Sequence, residues 1–232
     1  MASPTATGKL FEVDARLRPD GKDGVLANSV AAHRDYYRQR AQLWERQALI
    51  KARVVAGDSA LGAEFLRMVH EYVYATPLTL DQVAEIQKMR HRIETERGDQ
   101  QPGAGEFKTG SGGIIEVEFL VQTLQLCHGT KYPQLRTAHT LAALNRLAAL
   151  GLVEEEEASQ LRWYYLFLRR IETTLRRIEN TGVSHLPADK HEQAVLAKRL
   201  GFPDAGAFLA AYQHATGRLR ELYERLMPSS GQ

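Results

Sequence analysis

The sequence predicts an all-α protein, an antiparallel helical bundle with one short β-strand near its N-terminal end. Three observations carry this. Apolar residues recur at alternating three- and four-residue steps through most of the 232 residues, which places them along one side of a helix. Helix-starting residues and helix-stopping glycines punctuate those stripes. Only residues 11–19, Phe-Glu-Val-Asp-Ala-Arg-Leu-Arg-Pro, alternate apolar and polar with period two, as a half-buried strand does.

In that strand Phe11, Val13, Ala15 and Leu17 share one side, and Glu12, Asp14, Arg16 and Arg18 the other. One strand cannot satisfy its own backbone groups, so it requires sheet neighbours. Residues 19–24, Pro-Asp-Gly-Lys-Asp-Gly, are turn formers. Ser29 then caps a helix predicted to run to about residue 55, stopped by Gly57, with a seam of Tyr37, Ala41, Trp44, Ala48, Ala52 and Val55. A second helix spans about 60–74 and ends before Pro77. Thr79 with Gln82 three residues on forms a capping box that opens a helix toward Arg97.

Residues 98–113 read as a loop and the best internal boundary. Beyond it, 114–128 is a strongly apolar helix suited to the centre of a bundle, and 137–150 is another, ended by Gly151. The acids at 154–157 suit the positive end of the next helix and read as a solvated first turn. That helix carries Leu161, Tyr164, Leu168, Ile171, Leu175 and Ile178. The last one carries Phe208, Tyr212, Ala215, Leu219, Leu222 and Leu226. Both stripes are read as core. The organisation expected is a leader, strand and turn over 1–28, a bundle over 29–227 with a possible sub-boundary at 98–113, and a flexible tail over 228–232.

Composition excludes several classes. With 44% hydrophobic and 25% charged residues and a net charge of +2, the chain argues for neither nucleic-acid nor membrane binding. No apolar run approaches the roughly 18 residues of a membrane span. The single Cys127 rules out an internal disulfide and fits a reducing, cytoplasmic setting.

Three groups of residues could carry chemistry. Asp14 reads as a metal-binding carboxylate or a base on a strand, or else as an exposed partner of Arg16. Arg16 and Arg18 could hold a phosphate or a protein substrate, or simply solvate the strand. The second group is Lys108-Thr109-Gly110-Ser111-Gly112-Gly113 at the mouth of the 114–128 helix. Glycines, a helix N-terminus and Lys108 suit an anion, but the spacing is not that of a phosphate-binding P-loop. A tight loop admitting the helix into the bundle explains Gly112 and Gly113 more readily. The third is the polar line Glu118, Gln122 and Gln125, a cleft lining or a structural network, with the structural role favoured. The basic flank Arg169, Arg170, Arg176 and Arg177 could meet an acidic partner; more often such a flank is only solvated.

Several of these segments together resemble the glutamine synthetase adenylyltransferases, of the DNA-polymerase-β-like nucleotidyltransferases. They are Val-Asp-Ala-Arg-Leu-Arg-Pro at 13–19 with Gly21 and Gly24, and Trp-Glu-Arg-Gln-Ala-Leu at 44–49 with Lys51-Ala52-Arg53 and Gly57-Asp58. To these are added Lys108-Thr109-Gly110 with Gly112-Gly113-Ile114, and Glu118-Phe119 with Gln122. Order and spacing hold from Phe11 to about Met227. The resemblance implies an enzyme that moves AMP from ATP to a tyrosine of glutamine synthetase, or removes it by phosphorolysis, using Mg2+ and ATP and regulated by the PII protein. It places Asp14 as the third metal-binding carboxylate, with Arg16 and Arg18 near nucleotide or target and Lys108, Gly112, Gly113 and Glu118 as cleft residues. The two earlier carboxylates of that family have no counterpart upstream of Asp14, so the chain is expected to be the end of a catalytic core plus its helical domain, inert alone, with the adenylylating half favoured. The expected partners are glutamine synthetase, PII and the rest of the same enzyme, with neither nucleic acid nor membrane. The rival expectation is a non-catalytic helical module that binds PII or a partner subunit.

Overall fold

The computed structural model describes residues 14–15, 17–97, 105–179 and 182–228. Its contacts divide the chain into two compact units, Met1–Ala75 and Thr76–Gln232. The described residues contain nine α-helices and no strand, so the fold is all-α as expected. Of the period-two segment 11–19, residues 11–13 and 16 lie outside the described residues, and the other five form no strand. Of its positions, Asp14 and Ala15 have no regular structure and Leu17 enters a turn.

In the first unit, a 3-10 turn at Gly21–Asp23 precedes α1 (Val30–Gln39). Ser29 caps α1, its hydroxyl accepting from the Ala32 N–H at 3.1 Å. The single long helix predicted here is instead α1, then α2 (Leu43–Ala48), then a 3-10 turn at Leu49–Lys51. The break has a local cause. The Glu45 carboxylate accepts from the Gln42 N–H at 3.0 Å and from the Tyr36 hydroxyl at 3.1 Å, so it starts a new helix and ties it to α1. Consequently the predicted seam does not hold: Trp44 is 38% exposed, and Val55 lies beyond the helices at 79%. Helix α3 (Ser59–Val73) is capped by Asp58 and packs on α1 and α2. Arg46, buried on α2, donates from Nε to the Val73 carbonyl at 2.7 Å, closing the C-terminal end of α3.

The second unit opens with α4 (Leu80–Arg97), started by the expected reciprocal pair: Thr79 N–H to Gln82 at 3.0 Å, and Gln82 N–H to Thr79 at 3.3 Å. Next come α5 (Ile114–His128), α6 (Thr140–Ala149) and α7 (Glu155–Glu179). Helix α5 is central, packing against α4, α6, α7 and α9. On α7, Leu161, Tyr164, Leu168, Ile171 and Leu175 are buried, and only Ile178 of the predicted stripe emerges. Helix α8 (Lys190–Leu200) was not anticipated. Its start is the Asp189 carboxylate accepting from the Glu192 N–H at 2.9 Å, and its stop is Gly201 at φ 88°. It packs on α7 and on α9 (Ala205–Leu226), whose predicted stripe is buried through Leu222. A lone antiparallel bridge joins Glu106 to His185 and fixes the approach to α5.

Candidate functional site

Three places receive the predicted residues. The first surrounds the turn after Asp14. All three guanidinium nitrogens of Arg18 donate to backbone carbonyls: Nη1 to Ala15 at 2.6 Å, Nε to Gly24 at 3.0 Å and Nη2 to Lys22 at 3.2 Å. The fork that would grip a phosphate thus holds the turn and the chain next to Asp14, whose own side chain is exposed. Arg16 lies outside the described residues. Beside the turn is a hollow of about 360 Å³ walled by Leu17, Tyr37, Trp44 and Phe65, with Lys51 and Arg53 at its edge. Glu45 lines it as well, so its apolar wall carries charges of both signs and suits a small polar ligand or an inserted side chain. The Trp44–Arg53 segment singled out by resemblance therefore has two jobs. Glu45 and Arg46 are buried structural groups, and Glu45 also lines the hollow together with Trp44, Lys51 and Arg53.

The second place is the glycine loop. The backbone donors of Lys108, Thr109, Gly112 and Gly113 are engaged within the protein. Glu106 accepts from the N–H groups of Lys108 at 3.0 Å and Thr109 at 2.6 Å and from the Thr109 hydroxyl, and Glu116 accepts from the Gly112 N–H at 3.0 Å. The N–H groups of Gly113, Ile114, Ile115 and Glu116 go to carbonyls of the same loop and its preceding residues. The loop is a nest for anions, and the anions are two carboxylates of this chain. Gly112 is required there: its φ is 67°, and a Cβ would come within 2.0 Å of the Thr216 carbonyl oxygen. A Cβ on Gly113 would crowd the Lys108 and Gly110 carbonyls at 2.8 and 2.9 Å.

Glu116 went unnoticed in the sequence, yet it is wholly buried at the junction of α4, α5 and α9. Arg90 Nη2 donates to it at 3.2 Å and Arg220 Nη1 at 2.7 Å, and Arg90 also donates to the Gly110 carbonyl at 2.7 Å. Burial raises the Glu116 pKa, and the two guanidiniums pull it back. Glu94 adds a second carboxylate, 3.2 Å from Arg220. The signal available was the Arg90–Glu94 spacing on α4; the long-range partners leave none in sequence.

The third place is the polar face shared by α5, α7 and the loop, which connects Lys108 with Glu118. Glu118 accepts from the Tyr165 hydroxyl at 2.9 Å, and burial, with Glu118 beside it, pushes the Tyr165 pKa up to about 12. Two turns along α7, the buried Glu172 holds Arg169 at 2.8 Å, Arg176 at 3.3 Å and Lys108 at 3.9 Å. Gln125, by contrast, is structural: its amide donates to the Leu135 and Thr137 carbonyls at 2.6 and 2.9 Å, fastening the α5–α6 connection. Glu172 was missed, though its spacing from Arg169 and Arg176, three before and four after, is the helical pairing rule.

Among the described residues no three of His, Cys, Asp and Glu gather as a metal site. No helix among the described residues is long and apolar enough to cross a membrane.

Comparison with known proteins agrees with the motifs. The family model for Glutamate-ammonia ligase adenylyltransferase matches residues 1–68, and that for GlnD PII-uridylyltransferase matches residues 83–227. A bifunctional glutamine synthetase adenylyltransferase/adenylyl-removing enzyme of Mesorhizobium japonicum is 36% identical over 228 residues, 97% of this chain and 23% of that protein. Proteins with the same description from Xanthobacter autotrophicus and Streptomyces coelicolor are each 39% identical, over 89% and 96% of this chain and 21% and 22% of their own. The chain thus spans between a fifth and a quarter of the length of these relatives. An all-α fold, the motifs in order and these matches place it: the chain belongs to the glutamine synthetase adenylyltransferase family.

Proposed function

We propose that this chain serves as the helical part of an enzyme that transfers AMP from ATP to a tyrosine of glutamine synthetase or removes it by phosphorolysis. The observation that carries the reading is the identity of 36–39% over 88–98% of the chain to relatives described as doing both. The geometry adds a division of labour. Arg18 fixes the turn that presents Asp14, and Asp14 supplies one carboxylate to a metal site whose other ligands lie outside the described residues. Bound Mg2+ would neutralise charge on the transferring phosphoryl group. The hollow at Trp44 and Lys51 lies beside that turn and accommodates a part of the nucleotide or of the protein substrate.

The test is a chimera. This chain replaces the matching segment of a relative, and incorporation of labelled AMP into glutamine synthetase is followed. The chimera should be active, and Asp14→Asn within it should lower the rate by about 10²-fold or more, as loss of charge stabilisation at a phosphoryl centre does. Transfer at the unaltered rate in a folded Asp14→Asn chimera refutes the metal role; an inactive but folded chimera refutes the reading itself.

A second reading draws support from the match of residues 83–227 to the uridylyltransferase model. In it the second unit is a non-catalytic module that binds PII or a partner subunit. Calorimetry of the chain separates the two. Heat on adding purified PII with none on adding Mg-ATP favours the module, and tight Mg-ATP binding favours a nucleotide site within the chain.

A further inference from the structure

The outer face of α7 is polarised in a way that neither the bundle nor the proposed chemistry explains. Trp163, Leu166, Arg170, Thr173 and Arg177 follow one another at three- and four-residue steps, so they form a single stripe, and all five are exposed. Its first half is apolar, with Trp163 56% and Leu166 48% exposed. Its second half is basic, with Arg169 and Arg176 alongside Arg170 and Arg177.

The basic half is built rather than merely solvated. Glu172 is 2% exposed and anchors Arg169, Arg176 and Lys108 from beneath. One buried carboxylate thus holds three half-exposed cations in place and leaves them in charge excess. Among the described residues Arg170 and Arg177 have no carboxylate partner. At the other end Trp163 is held by stacking on Phe167, their rings 5.5 Å apart. Tryptophan and arginine whose rotamers are already fixed lose little entropy on association, and they are the side chains that dominate protein interfaces. Four guanidiniums suit carboxylates, which they bind as a planar fork.

We infer that this face docks an acidic segment of a protein partner, with an apolar side chain of that segment against Trp163 and Leu166 and its carboxylates over Arg169, Arg170, Arg176 and Arg177. The inference rests on the reading that the enzyme's protein substrate is glutamine synthetase, and it assigns to α7 the contact with that substrate.

The test uses the full chain and purified glutamine synthetase in a binding titration at two salt concentrations. Arg170→Glu/Arg177→Glu is compared with Lys88→Glu/Arg92→Glu, an equal charge change at exposed positions on α4, with circular dichroism confirming helix content. The unaltered chain should bind, and more weakly at higher salt. The α7 pair should lose about tenfold or more in affinity, as charge reversal at an electrostatic interface does, and the α4 pair should not. Trp163→Ser should weaken binding at both salt concentrations alike. Binding that responds equally to the two pairs overturns the inference and leaves the enzymatic reading intact. Absence of binding by the unaltered chain also overturns it, and the enzymatic reading is then decided separately by the chimera.

Discussion

In the second unit most large apolar side chains turn inward, so that Ile86, Leu120, Leu144, Leu168 and Leu219 are wholly buried and Trp163 and Leu166 are exceptions, whereas the first unit leaves Leu17, Val25, Leu26, Val55 and Leu61 more than half exposed. The cause is layering. Each helix from α4 to α9 has its apolar stripe against another helix, and α5 is covered by four of them. The first unit has two short helices and one of fifteen residues, enough to bury Tyr37, Val69 and Val73 but not the connecting segments. Val54, Val55 and Leu61 instead line an open hollow of about 670 Å³. The second unit buries its apolar stripes and leaves exposed apolar surface at places such as the Trp163–Leu166 face of α7; the first leaves whole connecting segments open, surface of the kind that marks an interaction site.

The sharpest way to break that comparison is to unpair the charges inside the second unit. Arg90→Ala leaves Glu116 buried with one guanidinium in place of two and takes from the Gly110 carbonyl one of its two donors, the Gly113 N–H remaining. Loss of one member of a buried pair costs about 3–5 kcal/mol, read as a fall in the urea midpoint. Replacing both partners by apolar residues, Arg90→Met with Glu116→Leu, should cost clearly less. A loss under about 1 kcal/mol for the single variant, the scale of an exposed pair, would mean that this network does not hold the unit together.

Glycine substitutions sharpen the same contrast. Gly112→Ala in the second unit combines a positive φ with a collision against the Thr216 carbonyl, so left-handed strain of about 1–2 kcal/mol is joined by overpacking of about 1–3 kcal/mol. Gly57→Ala in the first unit has φ 103° but no atom within 4 Å of the added carbon, so only strain applies. Thermal denaturation of the two variants should rank them in that order. Equal losses would show that the loop before α5 yields as readily as the open segment.

These residues also mark how far the sequence can be read. Caps are local, so Ser29, the Thr79–Gln82 pair and the start of α5 were legible, and long apolar stripes located α7 and α9. The α1–α2 break was not, because it depends on Glu45 meeting Tyr36 nine residues earlier, a contact that periodicity does not encode. Helix α8 was missed although Asp189 and Gly201 bracket it, since its short apolar stripe gives little signal. At the candidate sites, residue type pointed to Arg18 and Lys108, but the groups that occupy them, three backbone carbonyls and Glu172, are fixed by tertiary structure. Glu116 shows the limit most plainly, with Arg90 and Arg220 far from it along the chain.

A smaller effect is expected from pH. Burial, with Lys131 nearby, holds the His128 pKa below its ordinary 6.5. The unfolded chain therefore takes up this proton first as pH falls, so stability is lost as pH drops through 6.5 and on to the folded value, and is regained above it. His128→Gln removes this component, and the difference between the two urea midpoints should narrow or change sign on acidification. A difference independent of pH between 5 and 8 would mean that the end of α5 is open to water.

The smallest effect concerns the first unit and is informative because it is small. Val55→Ser and Leu61→Ser alter side chains that are 79% and 55% exposed, so each should move the stability of this chain by no more than about 0.5 kcal/mol. Leu168→Ala on α7 should cost about 2–5 kcal/mol, since it empties a wholly buried site. The same pair of serine variants placed in the chimera with a long relative carries the real contrast. If the open apolar segment is covered there by another region of the enzyme, the substitutions that were silent in the chain should lower the chimera's melting temperature or its rate of AMP transfer. If they remain silent in both settings, the exposed valines and leucine are ordinary surface, and the difference between the two units reflects only their size.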